Sequence, residues 1–154
     1  MIKINVILDN IKWKKYLKNP NSFINKKTLR INKKIKLYKK NILTCSLLLS
    51  DTAEIRKLNK KFRNKNKSTD VLSFPFYEKK QLQNKIKKEK EIYLGDIIIN
   101  LNKIKNKNNK NMFKENFNYL WIHGLVHLFG YKHQKNNDYY VMSKIEKKYL
   151  EYIN

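Results

Sequence analysis

The chain has 154 residues, enough for one packed core, and is read as a single domain spanning 1–154. Lys and Arg number 36 against 12 Asp and Glu, a net charge of +24, and 41% of residues are hydrophobic. No stretch approaches the roughly 20 apolar residues of a membrane span, and the start lacks a signal-peptide pattern, so the expectation is a soluble cytoplasmic protein.

In chain order, Ile2, Ile4, Val6 and Leu8 alternate with polar residues and predict a half-buried strand. The segment 19–38 carries Phe23, Ile24, Leu29, Ile31 and Ile35 as a loose apolar helical face. "ILTCSLLLS" (42–50) reads as a second strand, with Cys45 as an inert core thiol that has no partner for an internal disulfide. Asp51 and Glu54 resemble a capping box ahead of an amphipathic helix carrying Ile55, Leu58 and Phe62. "DVLSF" (70–74), stopped by Pro75, predicts a third strand. Residues 77–91 read as a lysine-rich connection without apolar period, and "YLGDIII" (93–99) as a fourth strand. Residues 102–111 fit a short helix or a loop. From Phe113 to Phe129 the apolar residues fall on most sides of a helix, which belongs in the middle of the domain and ends at Gly130. Asp138 is read as the N-cap of a last helix carrying Tyr140, Ile145, Tyr149 and Leu150. About four strands and four helices without strict alternation give the α+β class.

The excess of positive charge attracts polyanions, chiefly nucleic acid and less often an anionic membrane surface. Lys, Asn and Ile are also the residues that AT-rich codons supply, so codon bias could produce much of the basicity. Only three Arg remain among the lysines, Arg30, Arg56 and Arg63. A guanidinium kept in such a background hints that its planar fork matters.

"HGLVHLFGYKH" (123–133) holds all three histidines of the chain. On a helix, residues four apart share a face, so His123 and His127 can aim at one point. A helix break at Gly130 lets the chain turn back so that His133 can close the set as a third imidazole. Three protein ligands with one position open describe a catalytic metal site, and three neutral imidazoles suit Zn2+ best, with nickel or copper as alternatives. The spacing also matches the metzincin signature, whose glutamate is the general base. Here that position is Gly124, which moves no proton, so peptidase activity is disfavoured.

"HGLVHLFGYKH" resembles the H-G-x-L-H-L-x-G-Y-D-H signature of the YbeY family of bacterial metal-dependent endoribonucleases. "LNKKFRNKNKSTDVLSFPF" (58–76) and "LGDIII" (94–99) are similar to two further motifs of that family. The resemblance implies a small mixed four-stranded sheet flanked by helices, with the metal-site helix central. It implies one Zn2+ held by His123, His127 and His133 plus water, with His123 and Arg63 as catalytic residues. It further implies single-strand cleavage in ribosomal RNA maturation, including the small-subunit 3′ end, a part in ribosome quality control, and ribosomal RNA and ribosomal particles as partners. Neither a membrane nor a small-molecule cofactor is implied.

The chain departs from the pattern at Lys132, where the signature has Asp, at Asn66 for a loop Asp, and at Val126 for Leu. The Lys132 change puts metal affinity in doubt, because a carboxylate there could steady a ligand. Arg63 would clamp phosphate through paired hydrogen bonds; its alternative role is pairing with carbonyls near a helix end. Asp70 and Asp96 could act as base or outer partner, though capping or lysine pairing is the simpler role. Tyr93 and Tyr131 could stack on bases or pack at a rim. The lysine-rich stretches 79–90 and 102–114 would give sequence-blind contact with an RNA backbone. Rival readings are a metal-stabilised ribosome-assembly factor without catalysis, and a metallopeptidase.

Overall fold

The computed structural model describes residues 1–35, 40–133 and 136–154. Its strands are β1 (Ile2–Leu8), β2 (Ile42–Ser50), β3 (Val71–Pro75) and β4 (Glu91–Asn100); its helices are α1 (Pro20–Lys34), α2 (Thr52–Arg63), α3 (Lys79–Lys88), α4 (Lys110–Leu128) and α5 (Asn136–Ile153). The sheet runs β1-β2-β4-β3, with β1, β2 and β4 parallel and β3 antiparallel at the edge. This is the α+β class with a mixed four-stranded sheet that the sequence predicts.

Alternation in β2 explains the layering. Leu43, Cys45, Leu47 and Leu49 point into the main core, where α1, α4 and α5 pack. On the opposite face, α2 lays Ile55 over Leu72 and Ile98. α4 is buried through Phe113, Phe117, Trp121, Leu125 and Leu128, so it lies in the centre as its sequence requires. Trp13 joins Phe113 and Phe117 at ring separations of 6.3 and 5.4 Å, and its indole N–H donates to the Ser50 carbonyl at 2.9 Å. Burial pushes the Cys45 thiol up to about 12, which keeps it inert.

Two glycines let the backbone come close. Gly95 has φ +129°, and a Cβ there would meet the Phe74 carbonyl at 2.1 Å. Beside it β4 bulges: Thr44 pairs with Tyr93 and Cys45 with Gly95. The extra residue puts Tyr93 and Asp96, three apart, on one face, and the Tyr93 hydroxyl donates to Asp96 at 2.6 Å. A Cβ at Gly124 would meet Ile97 Cγ2 at 2.6 Å and Ser73 Oγ at 3.1 Å. Its lack of a side chain seats α4 against β3 and β4.

Several expectations change. The predicted connection 77–91 contains α3, capped by Glu78 and Gln81 and anchored by the buried Leu82. With Leu82 and Ile86 as its apolar residues, its sequence shows a single turn of the helical period. In α1 the buried side is Pro20, Ile24, Thr28 and Ile31, and Leu29 is exposed; positions 36–38 of that predicted segment lie outside the described residues. α5 begins at Asn136, so Asp138 sits in its first turn and is not its cap. The buried side of α5 is Met142, Glu146, Tyr149 and Ile153, with Tyr140 exposed. Residues 102–111 begin in a 3₁₀ turn over Leu101–Lys103 and end in the start of α4. Asp51 caps α2 by accepting from the Ala53 and Glu54 amides, while the Glu54 carboxylate lies 3.7 Å from Lys57.

Candidate metal centre and cleft

The last two turns of α4 carry His123 and His127 on one face. Phe129 closes the helix, and Gly130 turns the chain with φ +82°, a conformation in which a Cβ would meet Lys79 Cα at 2.7 Å. The turn brings His133 back. One ring nitrogen from each of His123, His127 and His133 lies within 4.8 Å of the others.

The outward nitrogens fix how the rings face. His127 Nδ1 lies 2.8 Å from the Tyr131 carbonyl, which only accepts, so Nδ1 carries the proton. His123 Nδ1 lies 2.7 Å from Glu146 Oε1, on a side chain of α5 that is only 11% exposed. When both rings are neutral, as metal ligands must be, their Nε2 atoms face each other as lone pairs 3.1 Å apart. Two lone pairs facing at that range repel unless a cation lies among them, so the donor set fits a divalent ion. Burial is the main cause that holds the His127 pKa down to about 4, which leaves this imidazole neutral at ordinary pH, as a ligand must be.

His127 and His133 line an open cleft of about 730 Å³ together with Arg63, Phe76, Lys79 and Tyr131. Arg63 ends α2, and the left-handed Asn64 (φ 55°) turns the chain after it. Its guanidinium donates to the Ser73 carbonyl at 2.9 Å and lies 5.6 Å from the Phe74 ring. One N–H is thereby fixed on the sheet edge, and the other donors remain on an exposed side chain. The loop beyond it is pinned by Asn59 Nδ2 to the Lys67 carbonyl at 2.7 Å and by Arg56 Nε to Asn66 Oδ1 at 2.9 Å. Asn66 therefore keeps a loop contact despite its departure from the signature.

Lys132 is exposed on the cleft wall. The carboxylate beside the histidines comes from Glu146, which the sequence reading missed. A signal was present: Glu146 interrupts a stripe of Met142, Tyr149 and Ile153, and an acid on a buried helical face needs a partner. Asp96 takes the Tyr93 hydroxyl, and Asp70 accepts from Thr69 and from the Val71 amide; neither lines the cleft. Tyr131 does line it, with Lys79 Nζ 4.3 Å from its ring centre, whereas Tyr93 lies on the sheet face beside Ser46.

The family model described as "Endoribonuclease YbeY" matches residues 8–154. Curated relatives of that name include a Pelagibacter ubique protein, 41% identical over 99% of this chain and 97% of the relative, and a Wolbachia protein, 36% identical over 97% and 93%. The solution structure of a Thermotoga maritima protein superposes with a TM-score of 0.60 at 27% identity, covering 98% of this chain and 89% of that one. With three converging imidazoles at the end of α4, an arginine on the facing sheet edge and a match running from β1 to the end of α5, this chain belongs to the YbeY endoribonuclease family.

Proposed function

We propose that this protein is a zinc-dependent endoribonuclease that cuts single-stranded RNA during ribosomal RNA maturation, including small-subunit 3′-end processing and ribosome quality control. It would act in the cytoplasm on ribosomal particles. The observation that carries this reading is one cleft lined by both His127 and Arg63, in a chain of this family.

A bound zinc ion would supply Lewis acidity toward a phosphoryl oxygen and lower the pKa of a water. His123, His127 and His133 would hold it, with Glu146 and the Tyr131 carbonyl steering the first two rings. Arg63, already braced on Ser73, keeps donors free to grip a phosphate and to stabilise charge that develops there. Lys65, Lys79 and Lys132 on the cleft wall add attraction for the backbone.

The peptidase reading loses further ground. Gly124 has no room for a glutamate, since even a Cβ would press on Ile97. The free edge of β3, where a peptide strand would pair, has its Ser73 carbonyl taken by Arg63, and Pro75 offers no N–H.

The test is an assay of single-stranded ribosomal RNA fragments with wild type, His123→Ala and Arg63→Glu, before and after chelation. Loss of at least about 100-fold in rate for each variant and on metal removal is expected. Undiminished cleavage by His123→Ala or by metal-free protein would overturn metal catalysis. RNA binding without turnover under any metal would favour the assembly-factor reading.

A further inference from the structure

Phe76 is a large aromatic residue left mostly outside the packed interior. It follows β3, the residue is 65% exposed, and it belongs to neither apolar core. Its backbone is nevertheless fixed, because its amide donates to the Leu94 carbonyl at 2.8 Å and carries the ladder one residue past Pro75. The closeness of Gly95 makes this possible, since a Cβ there would come within 3.0 Å of the Phe76 nitrogen. A large apolar ring is thus held out into solvent on a rigid strand end.

Its neighbours hold the ring without stacking on it. Tyr77 and Tyr93 lie 5.0 and 6.0 Å away with interplanar angles of 75° and 73°, so neither runs parallel to it. Arg63, Lys65, Lys79 and Lys132 line the same cleft as Phe76, His127 and His133. With four cations against the single carboxylate of Glu78 among its lining residues, the cleft sets an aromatic face in a net positive surface, which matches a ligand with both a flat π surface and negative charge. An apolar protein partner would bury those cations without compensation, whereas a polynucleotide satisfies both.

We propose that Phe76 is a stacking platform for one unpaired base of a single-stranded RNA whose adjoining phosphates lie on Arg63 and Lys65. This rests on the reading of the cleft as an RNA site. It gives the cleft a physical basis for preferring single strands, because a base in a duplex cannot leave its own stack without a cost.

Equilibrium binding on chelated protein tests the idea apart from catalysis. The probes are a single-stranded RNA containing the fluorescent base 2-aminopurine and an abasic strand with the same number of phosphates. The variants are Phe76→Ala, Phe76→Trp and Arg63→Glu, each first checked for a wild-type thermal melt. Phe76→Ala should weaken RNA binding roughly 5- to 150-fold and leave the abasic strand unaffected. Phe76→Trp should keep both affinity and quenching of the 2-aminopurine, and Arg63→Glu should weaken both ligands. RNA binding by Phe76→Ala within twofold of wild type, or an equal loss for both strands, overturns the platform while leaving the RNA cleft standing. Wild type that binds neither probe overturns the RNA reading and the platform together.

Discussion

Glu146 orients one of the three imidazoles, that of His123. Its carboxylate fixes the His123 ring from behind, in a site buried enough for the bond to be well insulated from water. Replacing it with Ala should weaken metal binding about 10- to 100-fold, and Glu146→Gln, which still accepts a hydrogen bond, should fall between. Competition with a chromophoric chelator reads this directly; equal affinity in Glu146→Ala and wild type would remove Glu146 from the site. His127 sets the response to acid. Its pKa is depressed to about 4 from an ordinary 6.5, so the stability it confers on metal-free protein is complete above pH 6.5. That share is lost as pH falls toward 4, when a buried ring must take up charge. Denaturant midpoints of chelated protein between pH 7 and 4 should therefore fall, and the fall should be shallower in His127→Gln.

At the scale of elements, the contact of α4 with the sheet decides what chemistry the helix can host. Gly124→Ala should cost about 1–3 kcal/mol, since Ile97 is fully packed and its branched side chain has nowhere to move. Gly124→Glu should unfold the site and yield no peptidase; a thermal melt and a casein assay check both, and a stable, proteolytic variant would overturn the packing argument. The same elements show what a sequence makes legible. The strands, the central helix and the histidine trio were readable because alternation, an all-round apolar helix and an i, i+4 pair each leave a local pattern. α3 was hidden because its burial rests on Leu82 and half-buried Ile86 among lysines. Glu146 was hidden because its partner is 23 residues away on another helix. The Arg63–Ser73 bond was hidden because one partner is backbone, which carries no residue identity.

For the whole molecule, a net charge of +24 implies binding that depends on salt. If the lysines meet RNA phosphates, the logarithm of the binding constant should fall linearly with the logarithm of salt, by about 0.7 per phosphate neutralised on a single strand. Titrations from 50 to 300 mM salt measure it, and a flat line would assign the lysines to composition alone. Among the described residues, no helix is long and apolar enough to cross a membrane.

The dressing of β3 also bears on solubility. A bare sheet border invites identical copies to add to it and grow into aggregates, and here Pro75 and the Arg63–Ser73 bond close that border. Replacing Arg63 by a neutral or acidic residue therefore does two things at once: it takes a cation from the cleft and lays open a carbonyl that another molecule can claim. Lost activity in such a variant has to be read beside its light scattering, because fibrils and a missing phosphate grip would look alike in a rate.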